Sequence, residues 1–375
     1  MDKDTVTLFT VGDLMICDSP LYASVGVGSK YTEIKGRLFI NCENIFNNAD
    51  IVIGNFETVV YHPKDRSLKE LQMSCSEDVI NEIKKAGFSI LNLANNHSLQ
   101  HGTEGFELTR NTLEQYGIRS IGVKNEAPYI CEINGIRLAF LAFCIHLEWY
   151  QPENVLYEDN ITHVIHTVKE LHENDPDLII IISIHWGDEF AEYPSNAQVA
   201  LAHKLVDEGA NIILGHHSHV YQGIEEYKGS VIAYSQGNFV SDMKTDLTRQ
   251  TAILKLLIKQ NKTIIREIYP FYIDSNFVLQ ENDNTWFEQR QTKLEKVLEK
   301  KVSDDDYWMM ITSNHKIVHN TFKTFFIRNL FNYEPRISIR MIFEFLIRKF
   351  KKIVGTSTFG RVSSMDSHIR ESLEK

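Results

Sequence analysis

The stretch from Asn211 to Gln222 reads NIILGHHSHVYQ, and the rest of the chain is interpreted from it. Its apolar run, Ile212 to Leu214, is short and bounded by glycine, as is typical of a buried strand. We expect Gly215 to end that strand and let the backbone turn. Three histidines come next: His216, His217 and His219. Because histidine is the commonest metal ligand near neutral pH, the stretch predicts a metal site, and a surface histidine cluster is the alternative.

The composition is that of a globular protein with a sizeable core. The chain has 375 residues, of which 43% are hydrophobic and 24% are charged. This length favours one large domain plus an appendage. The formal net charge of −11 argues against nucleic acid as a partner. An acidic protein that takes an anionic small-molecule or polymer substrate needs local positive charge, which metal ions can supply.

Cysteine use and the N-terminal sequence predict a cytoplasmic protein. Five cysteines occur, an odd number with no CxxC pair, which is typical of reduced thiols in a reducing compartment. The first residues, MDKDTVTLFTVGD, carry acids and do not form a basic segment followed by an apolar core, so we expect no signal peptide. No run approaches the roughly 18 apolar residues that a membrane-spanning helix needs.

Strand and helix patterns alternate along the first part of the chain, and strands then follow one another. The predicted strands are 5–11, 50–53, 89–94, 127–133, 136–145, 178–184, 212–214, 220–227, 230–234, 251–259 and 263–273. The predicted helices are 77–85, 103–116, 161–171 and 196–207, and residues 26–36 read as a polar insertion. This order predicts a layered α/β core with mixed sheets.

The character changes to helical and charged after about residue 280. We therefore predict a main domain over residues 1–280 and a helical, basic extension over residues 281–375. Within the extension, Ile337 to Ile353 combines apolar and basic residues at helical spacing. A basic amphipathic helix can lie on an anionic membrane surface, so peripheral contact at the inner membrane face is one interpretation. Packing on the domain is the alternative, and the sequence favours it.

Polar and charged residues collect at the ends of the predicted strands. They are Asp13, Asn55, Glu57, Asn96, His97, His185, Glu189, His217, His219 and Asn238. In α/β proteins the crevice beyond the carboxyl ends of the strands is where sites form. A mixture of carboxylate, amide and imidazole suits Mn²⁺, Fe²⁺ or Zn²⁺, and the absence of thiolates argues against a structural zinc site.

These strand ends carry six motifs in order. They are GD (Gly12-Asp13), GNFE (Gly54 to Glu57), NNH (Asn95 to His97), HWGDE (His185 to Glu189), GHHSHVYQ (Gly215 to Gln222) and SQGNF (Ser235 to Phe239). Together they resemble the CapA family of capsule and poly-γ-glutamate synthesis proteins, within the calcineurin-like metallophosphoesterase superfamily. The resemblance spans about residues 6–240 and implies a four-layer α/β/β/α fold.

The resemblance also implies a site that holds one or two divalent ions. Asp13 and His219 would bind one ion, Asn96, His185 and His217 the other, and Glu57 would bridge them. His97 would be the acid for the leaving group, with Glu189 as a second catalytic residue. The expected substrate-binding residues are Asn55, Gln100, His101 and Asn238, whereas His216 falls on a variable position. Two cations about 3.5–4 Å apart can activate a shared hydroxide for attack on a phosphoester.

Two departures from the family pattern leave other functions open. Met15 stands where metallophosphoesterases usually have the histidine of D-x-H, and Gln100 stands where NNHxxDxG has an aspartate. The first expectation is a metal-dependent phosphoesterase linked to capsule or poly-γ-glutamate-type polymer biosynthesis. The alternatives are a non-catalytic, metal-binding capsule-assembly component that binds capsule-synthesis proteins, and metal-assisted cleavage or transfer at a γ-glutamyl amide bond.

Overall fold

The computed structural model describes residues 4–145, 155–283, 285–343 and 364–373. Two sheets pack face to face, and helices cover the outer face of each, so the predicted α/β/β/α sandwich is confirmed. The alternation of strand and helix in the sequence produces this arrangement, because each sheet buries one face against the other sheet and one against helices.

The first sheet is mixed, and its centre is parallel. Its strands are β1 (Thr5–Leu14), β2 (Ile51–Asn55), β5 (Ile90–Asn92), β6 (Arg119–Ile121), β13 (Asn238–Val240), β14 (Gln250–Lys259), β15 (Ile264–Ile273) and β16 (Leu279–Glu281). The order is β16-β15-β14-β1-β2-β5-β6, with β13 also pairing with β1. Strand β1 runs parallel to β2 and β13 and antiparallel to β14. The carboxyl ends of three neighbouring strands therefore meet at one edge.

The second sheet has the order β11-β12-β10-β9-β8-β7. Its strands are β7 (Tyr129–Ile133), β8 (Ile136–Cys144), β9 (Ile179–His185), β10 (Ile212–His216), β11 (Tyr221–Tyr227) and β12 (Ser230–Gln236). Strands β8, β9, β10 and β12 are parallel, and β7 and β11 join the two edges as antiparallel hairpins. A separate two-stranded sheet pairs β3 (Val59–Val60) with β4 (Ser74–Cys75).

The helices lie between the strands and in the C-terminal part. They are α1 (Val27–Ile34), α2 (Glu43–Phe46), α3 (Leu68–Leu71), α4 (Glu77–Lys85), α5 (Gly102–Gln115), α6 (Ile161–Asn174), α7 (Asn196–Asp207), α8 (Asp246–Arg249), α9 (Thr285–Lys300), α10 (Asp304–Arg328), α11 (described over residues 335–343) and α12 (Ser364–Leu373). Helix α1 lies in the segment expected to be a polar insertion, so that interpretation is wrong. The segment is helical because Val27, Tyr31 and Ile34 repeat at helical spacing and are buried.

The central strand β9 shows why its sequence is almost wholly apolar. Ile179 and Ile181 point into the core between the two sheets. Ile180 and Ile182 point outward into a second core formed with α6 and α7. Successive side chains of a strand face opposite sides, so a strand covered on both faces needs apolar residues at every position.

The C-terminal helices pack onto the sandwich. The last strand ends at Glu281 and α9 begins at Thr285, close to the predicted boundary, and α9 lies against β11. Only residues 337–343 of the predicted amphipathic helix are described, and residues 344–353 lie outside the described part of the chain. Among the helices that the structure describes, none has both the length and the apolar character to cross a membrane. All five cysteines are free thiols.

We expect Gly12→Ala to lower the free energy of unfolding by more than about 4 kcal/mol, or to prevent folding. A β-carbon at position 12 would lie 1.9 Å from the Gly237 carbonyl oxygen. The backbone at neither of these two positions can move on its own to relieve this clash. Gly36→Ala is the matched control, because nothing lies within 4 Å of its β-carbon. Its φ of +77° limits the expected loss to about 1–2 kcal/mol. Similar losses in urea denaturation of the two variants would contradict this close approach.

Candidate metal centre

Polar side chains stand in register at the carboxyl end of each sheet. In the first sheet Asp13 pairs with Asn55 on β2 and with Asn238 on β13. In the second sheet His216 on β10 pairs with His185 on β9. All five side chains are almost completely buried, with exposures of 0–1%. The strand register therefore builds the centre from two rows, one at the end of each sheet.

Asp13 joins the two rows. Its Oδ1 accepts a hydrogen bond from Asn55 Nδ2 at 2.8 Å, and its Oδ2 accepts one from the His217 backbone N–H at 3.2 Å. The Nδ1 atom of His216 lies 3.1 Å from Oδ1. Burial alone would raise the pKa of Asp13, but contact with His216 and the nearby imidazoles outweigh it and lower that pKa to about 2. Asp13 is therefore a carboxylate at neutral pH.

Glu57 is a fully buried carboxyl group without a hydrogen-bond partner within the described residues. Its Oε1 lies 3.7 Å from His185 Nε2, and its Oε2 lies 4.0 Å from His219 Nδ1. Burial, and then the charges of Asp13 and Glu189, raise its pKa well above the ordinary value. A buried acid without a hydrogen bond is costly, and a bound cation would offset that cost at Glu57.

Two groups of ligand atoms meet at Glu57. One contains Glu57, His185 and His217, and the other contains Asp13, Glu57 and His219, with the ligand atoms of each group within 4.8 Å of one another. Carboxylate and imidazole together suit a divalent transition ion. The residues present fit such an ion, and Glu57 belongs to both groups.

The loop that carries His217 and His219, which we call the histidine loop, begins one residue later than the sequence predicts. Strand β10 continues through Gly215 to His216, so the expectation that Gly215 ends the strand and makes the turn is wrong. The left-handed conformations fall on His217 and His219, with φ of 90° and 58°. Glycine is needed at position 215 because a β-carbon would lie 1.9 Å from the Tyr234 carbonyl oxygen. Non-glycine residues held at positive φ cluster at functional sites.

The NNH segment, Asn95 to His97, lies beside His185. Asn96 Oδ1 lies 2.9 Å from His185 Nε2. Asn95, which the sequence prediction left out, is fully buried. It donates to the Phe56 carbonyl at 2.9 Å and accepts from the His97 N–H at 3.1 Å. The sequence signal that could have indicated this structural role of Asn95 is the NNH motif that contains it.

His97 lies at the edge of the centre, and two residues that follow it, Gln100 and His101, make different contacts. Its Nε2 is 3.9 Å from Glu57 Oε1, and its Nδ1 is 3.2 Å from Gln100 Oε1. Gln100 therefore orients His97. The ring of His101 stacks on Tyr61 at 4.0 Å, and its Nε2 lies 2.9 Å from the Gln72 carbonyl. His101 is engaged by these two residues, and its role in substrate binding stays a prediction.

Asn238 holds His219 in place. Its Oδ1 lies 2.9 Å from His219 Nδ1, and its Nδ2 donates to the Thr248 carbonyl at 3.0 Å. Asn55 is used in a similar way, since its Nδ2 contacts both Asp13 and His185 Nδ1, the latter at 3.2 Å. Both amides were expected to bind substrate, and that role stays a prediction. The structure shows them supporting the ring and carboxylate at the centre.

The C-terminal extension contributes to the rim of the centre. Phe190 has a φ of 63°, and its ring centroid lies 6.2 Å from that of His219 and 4.9 Å from that of His315 on α10. Asn314, also on α10, donates to the Phe190 carbonyl at 2.9 Å. Burial lowers the pKa of His315, an effect that the charge of Glu189 opposes. The sequence prediction missed both α10 residues because no local motif marks them.

Comparisons with known proteins identify the family of this chain. Residues 7–243 match the family model described as "Bacterial capsule synthesis protein PGA_cap". The chain is similar to the capsule biosynthesis protein CapA of Bacillus anthracis, with 30% identity over 293 residues, covering 72% of this chain and 68% of the relative. It is also similar to the PGA biosynthesis protein CapA of Bacillus subtilis, with 32% identity over 262 residues, covering 65% and 67%.

Among solved structures, the 5′-nucleotidase precursor of Thermus thermophilus is similar with a TM-score of 0.44 and 10% identity. The alignment covers 84% of this chain and 59% of that protein. A likeness at this level does not bear on function.

We expect Glu57→Gln to stabilise the metal-free protein at neutral pH by about 1–3 kcal/mol, because the amide is neutral and avoids the cost of burying or protonating this carboxyl group. The same substitution should abolish the rise in melting temperature that Mn²⁺ or Zn²⁺ causes in the wild-type protein. Differential scanning calorimetry with chelator and with metal measures both effects. A variant that is less stable without metal, or that keeps the response to metal, would contradict the assigned role of Glu57.

We expect the wild-type protein to bind two Mn²⁺ ions, and His217→Ala and His219→Ala each to weaken a different one by about 10–100-fold. The reason is that each histidine belongs to only one of the two ligand groups. Isothermal titration and elemental analysis measure affinity and stoichiometry. His203→Ala is the control, since that ring contacts Glu225 at 2.9 Å and stacks on Tyr227. Unchanged binding in both variants would rule out the two groups as metal sites.

Proposed function

We propose that this chain, which belongs to the family of bacterial capsule synthesis proteins, is a metal-dependent phosphoesterase. The proposed substrate is an anionic precursor of a capsule-type polymer. The observation that supports this most directly is Glu57, a buried carboxyl group whose oxygens form no hydrogen bond within the described residues and which belongs to both ligand groups. A centre of this kind is costly to fold without cations and suited to anionic substrates with them.

Six residues would hold the ions in this proposal. They are Asp13, Glu57, Asn96, His185, His217 and His219. When bound, divalent ions activate a water molecule and neutralise charge on the phosphoryl oxygens. The chain's own contribution is a rigid set of ligands, because Asn55 and Asn238 fix the orientation of Asp13 and His219 through short hydrogen bonds. Ligands held by such partners reorganise little during the reaction.

His97 is the proposed acid for the leaving oxygen. Its Nε2 faces the centre, 3.9 Å from Glu57, while its Nδ1 is turned toward Gln100. An imidazole held by one nitrogen can present the other to a substrate oxygen and donate a proton to it. Glutamine orients this ring without adding the negative charge that the aspartate expected at position 100 would bring. Glu189, partly buried at the rim, is the proposed second acid–base group.

Met15 favours a second candidate function. It replaces the expected histidine and is buried in a small cluster with Cys17 and Met73, so it offers no imidazole to the Asp13 group. His216, at 3.1 Å from Asp13, is the nearest additional imidazole. A weak second metal would leave a metal-binding assembly component that recognises a polyanion or a synthesis protein. Metal-assisted attack on a γ-glutamyl amide remains the third candidate, and product analysis on glutamyl polymers tests it.

We expect Mn²⁺-loaded protein to hydrolyse aryl phosphate esters, and His97→Ala to lower kcat by about 10²–10⁴-fold. Metal stoichiometry should be unchanged, because His97 lies in neither ligand group. His163→Ala is the control, since that ring is exposed and paired with Glu158 on another part of the surface. A wild-type protein that holds Mn²⁺ and cleaves neither monoesters nor diesters would refute the hydrolase, and a single tightly held ion in that protein would favour the assembly role.

A further inference from the structure

An apolar surface lies at the hairpin between α10 and α11. Five large hydrophobic residues there are exposed, and we call them the hairpin surface: Ile327 (64%), Phe331 (98%), Ile339 (68%), Ile342 (40%) and Phe343 (63%). Phe331 sits in the turn between the two helices. Single exposed apolar residues are ordinary, but a group of five within one short hairpin marks a contact site.

The hairpin is firmly attached to the sandwich on its other side. Tyr333 and Ile337 are 2% and 1% exposed and pack in a cluster with Tyr22. Tyr333 Oη donates to the Leu21 carbonyl at 3.2 Å, and the Glu334 N–H donates to Ser24 Oγ at 3.0 Å. The outward direction of the hairpin surface is therefore set by the fold.

Helix geometry separates the two sides of α11. Ile337 and Met341 are one turn apart and face the sandwich. Ile339 and Phe343 are also one turn apart and project from the opposite side, where Arg336 and Arg340 border them. The outward side of α11 thus has an apolar centre and a basic edge.

The charge around the hairpin surface is opposite to that of the whole chain. Residues 323–343 contain four basic residues, Lys323, Arg328, Arg336 and Arg340, and one acid, Glu334. All four basic residues are exposed. Glu334 is paired with Arg66, and within the described residues Lys323, Arg328 and Arg336 form no salt bridge. A chain of net charge −11 therefore carries a local basic region at this apolar surface.

We propose that the hairpin surface docks on an anionic lipid membrane. Exposed phenylalanine and isoleucine can enter the boundary between headgroups and acyl chains while flanking arginines contact lipid phosphates. A symmetric contact between two copies of this chain would instead bring the arginine edges together, and like charges would oppose it. This inference does not depend on the hydrolase activity.

Vesicle sedimentation of the full chain tests the proposal. We expect binding to phosphatidylcholine vesicles that contain about 30% phosphatidylglycerol, weak binding to pure phosphatidylcholine, and loss of binding at high salt. The double variant Phe331→Ser/Ile339→Ser should reduce partitioning at least about tenfold, because it removes buried apolar area at the interface. Arg328→Glu/Arg336→Glu should reduce binding to the anionic vesicles.

Ile130→Ser/Ile265→Ser is the matched control, since these residues are 42% and 44% exposed on the sheet strands β7 and β15. It should bind like the wild-type protein, and thermal unfolding should show all variants folded, because the substituted side chains are exposed. Absence of vesicle binding by the wild-type chain would overturn the proposal. So would equal binding by the Phe331→Ser/Ile339→Ser variant, or a dimer that this variant abolishes without any vesicle binding.

Discussion

The contact of Asp13 with the second sheet is the interaction on which the centre depends. Asp13 lies in the middle of the row in the first sheet, and it accepts a hydrogen bond from His217 and touches His216 in the second. Two sheets packed face to face can slide or rotate relative to each other, and apolar contacts alone tolerate small shifts. Directional contacts to a buried carboxylate do not. Close backbone approach at Gly12 reinforces this constraint from the strand itself.

The same region carries features that disfavour folding in the absence of a ligand. Glu57 is buried without a hydrogen-bond partner in the described chain, and His217 and His219 both adopt positive φ. Each feature is costly alone, and all three converge on one point. Packing alone explains none of these features. Divalent cations would compensate the charge of Glu57 and would bind His217 and His219 on the bent loop. Local violations of folding rules at one place are what a functional site produces.

Local patterns predicted a layered α/β core with mixed sheets and most of the residues that meet at the centre, and the family resemblance added the four-layer sandwich. Helices 77–85 and 196–207 have the predicted bounds. What these patterns missed depends on contacts between distant segments. The close approach of β10 to β12 explains why position 215 needs glycine, and the ring of His101 stacks on Tyr61. His315 reaches the rim from a helix far beyond the histidine loop in the chain, so no motif connects them.

Helix α10 connects the two regions to which we assign function. Near its middle, Asn314 holds the Phe190 carbonyl at the rim of the centre, and at its end Ile327 belongs to the hairpin surface. At about 1.5 Å per residue, these two positions are about 20 Å apart along the helix. If a membrane binds at the hairpin and α10 runs away from the bilayer, the centre lies in water near the membrane surface. That position suits a water-soluble anionic group presented from a membrane-bound precursor, because hydrolysis needs water and the centre is built from polar ligands.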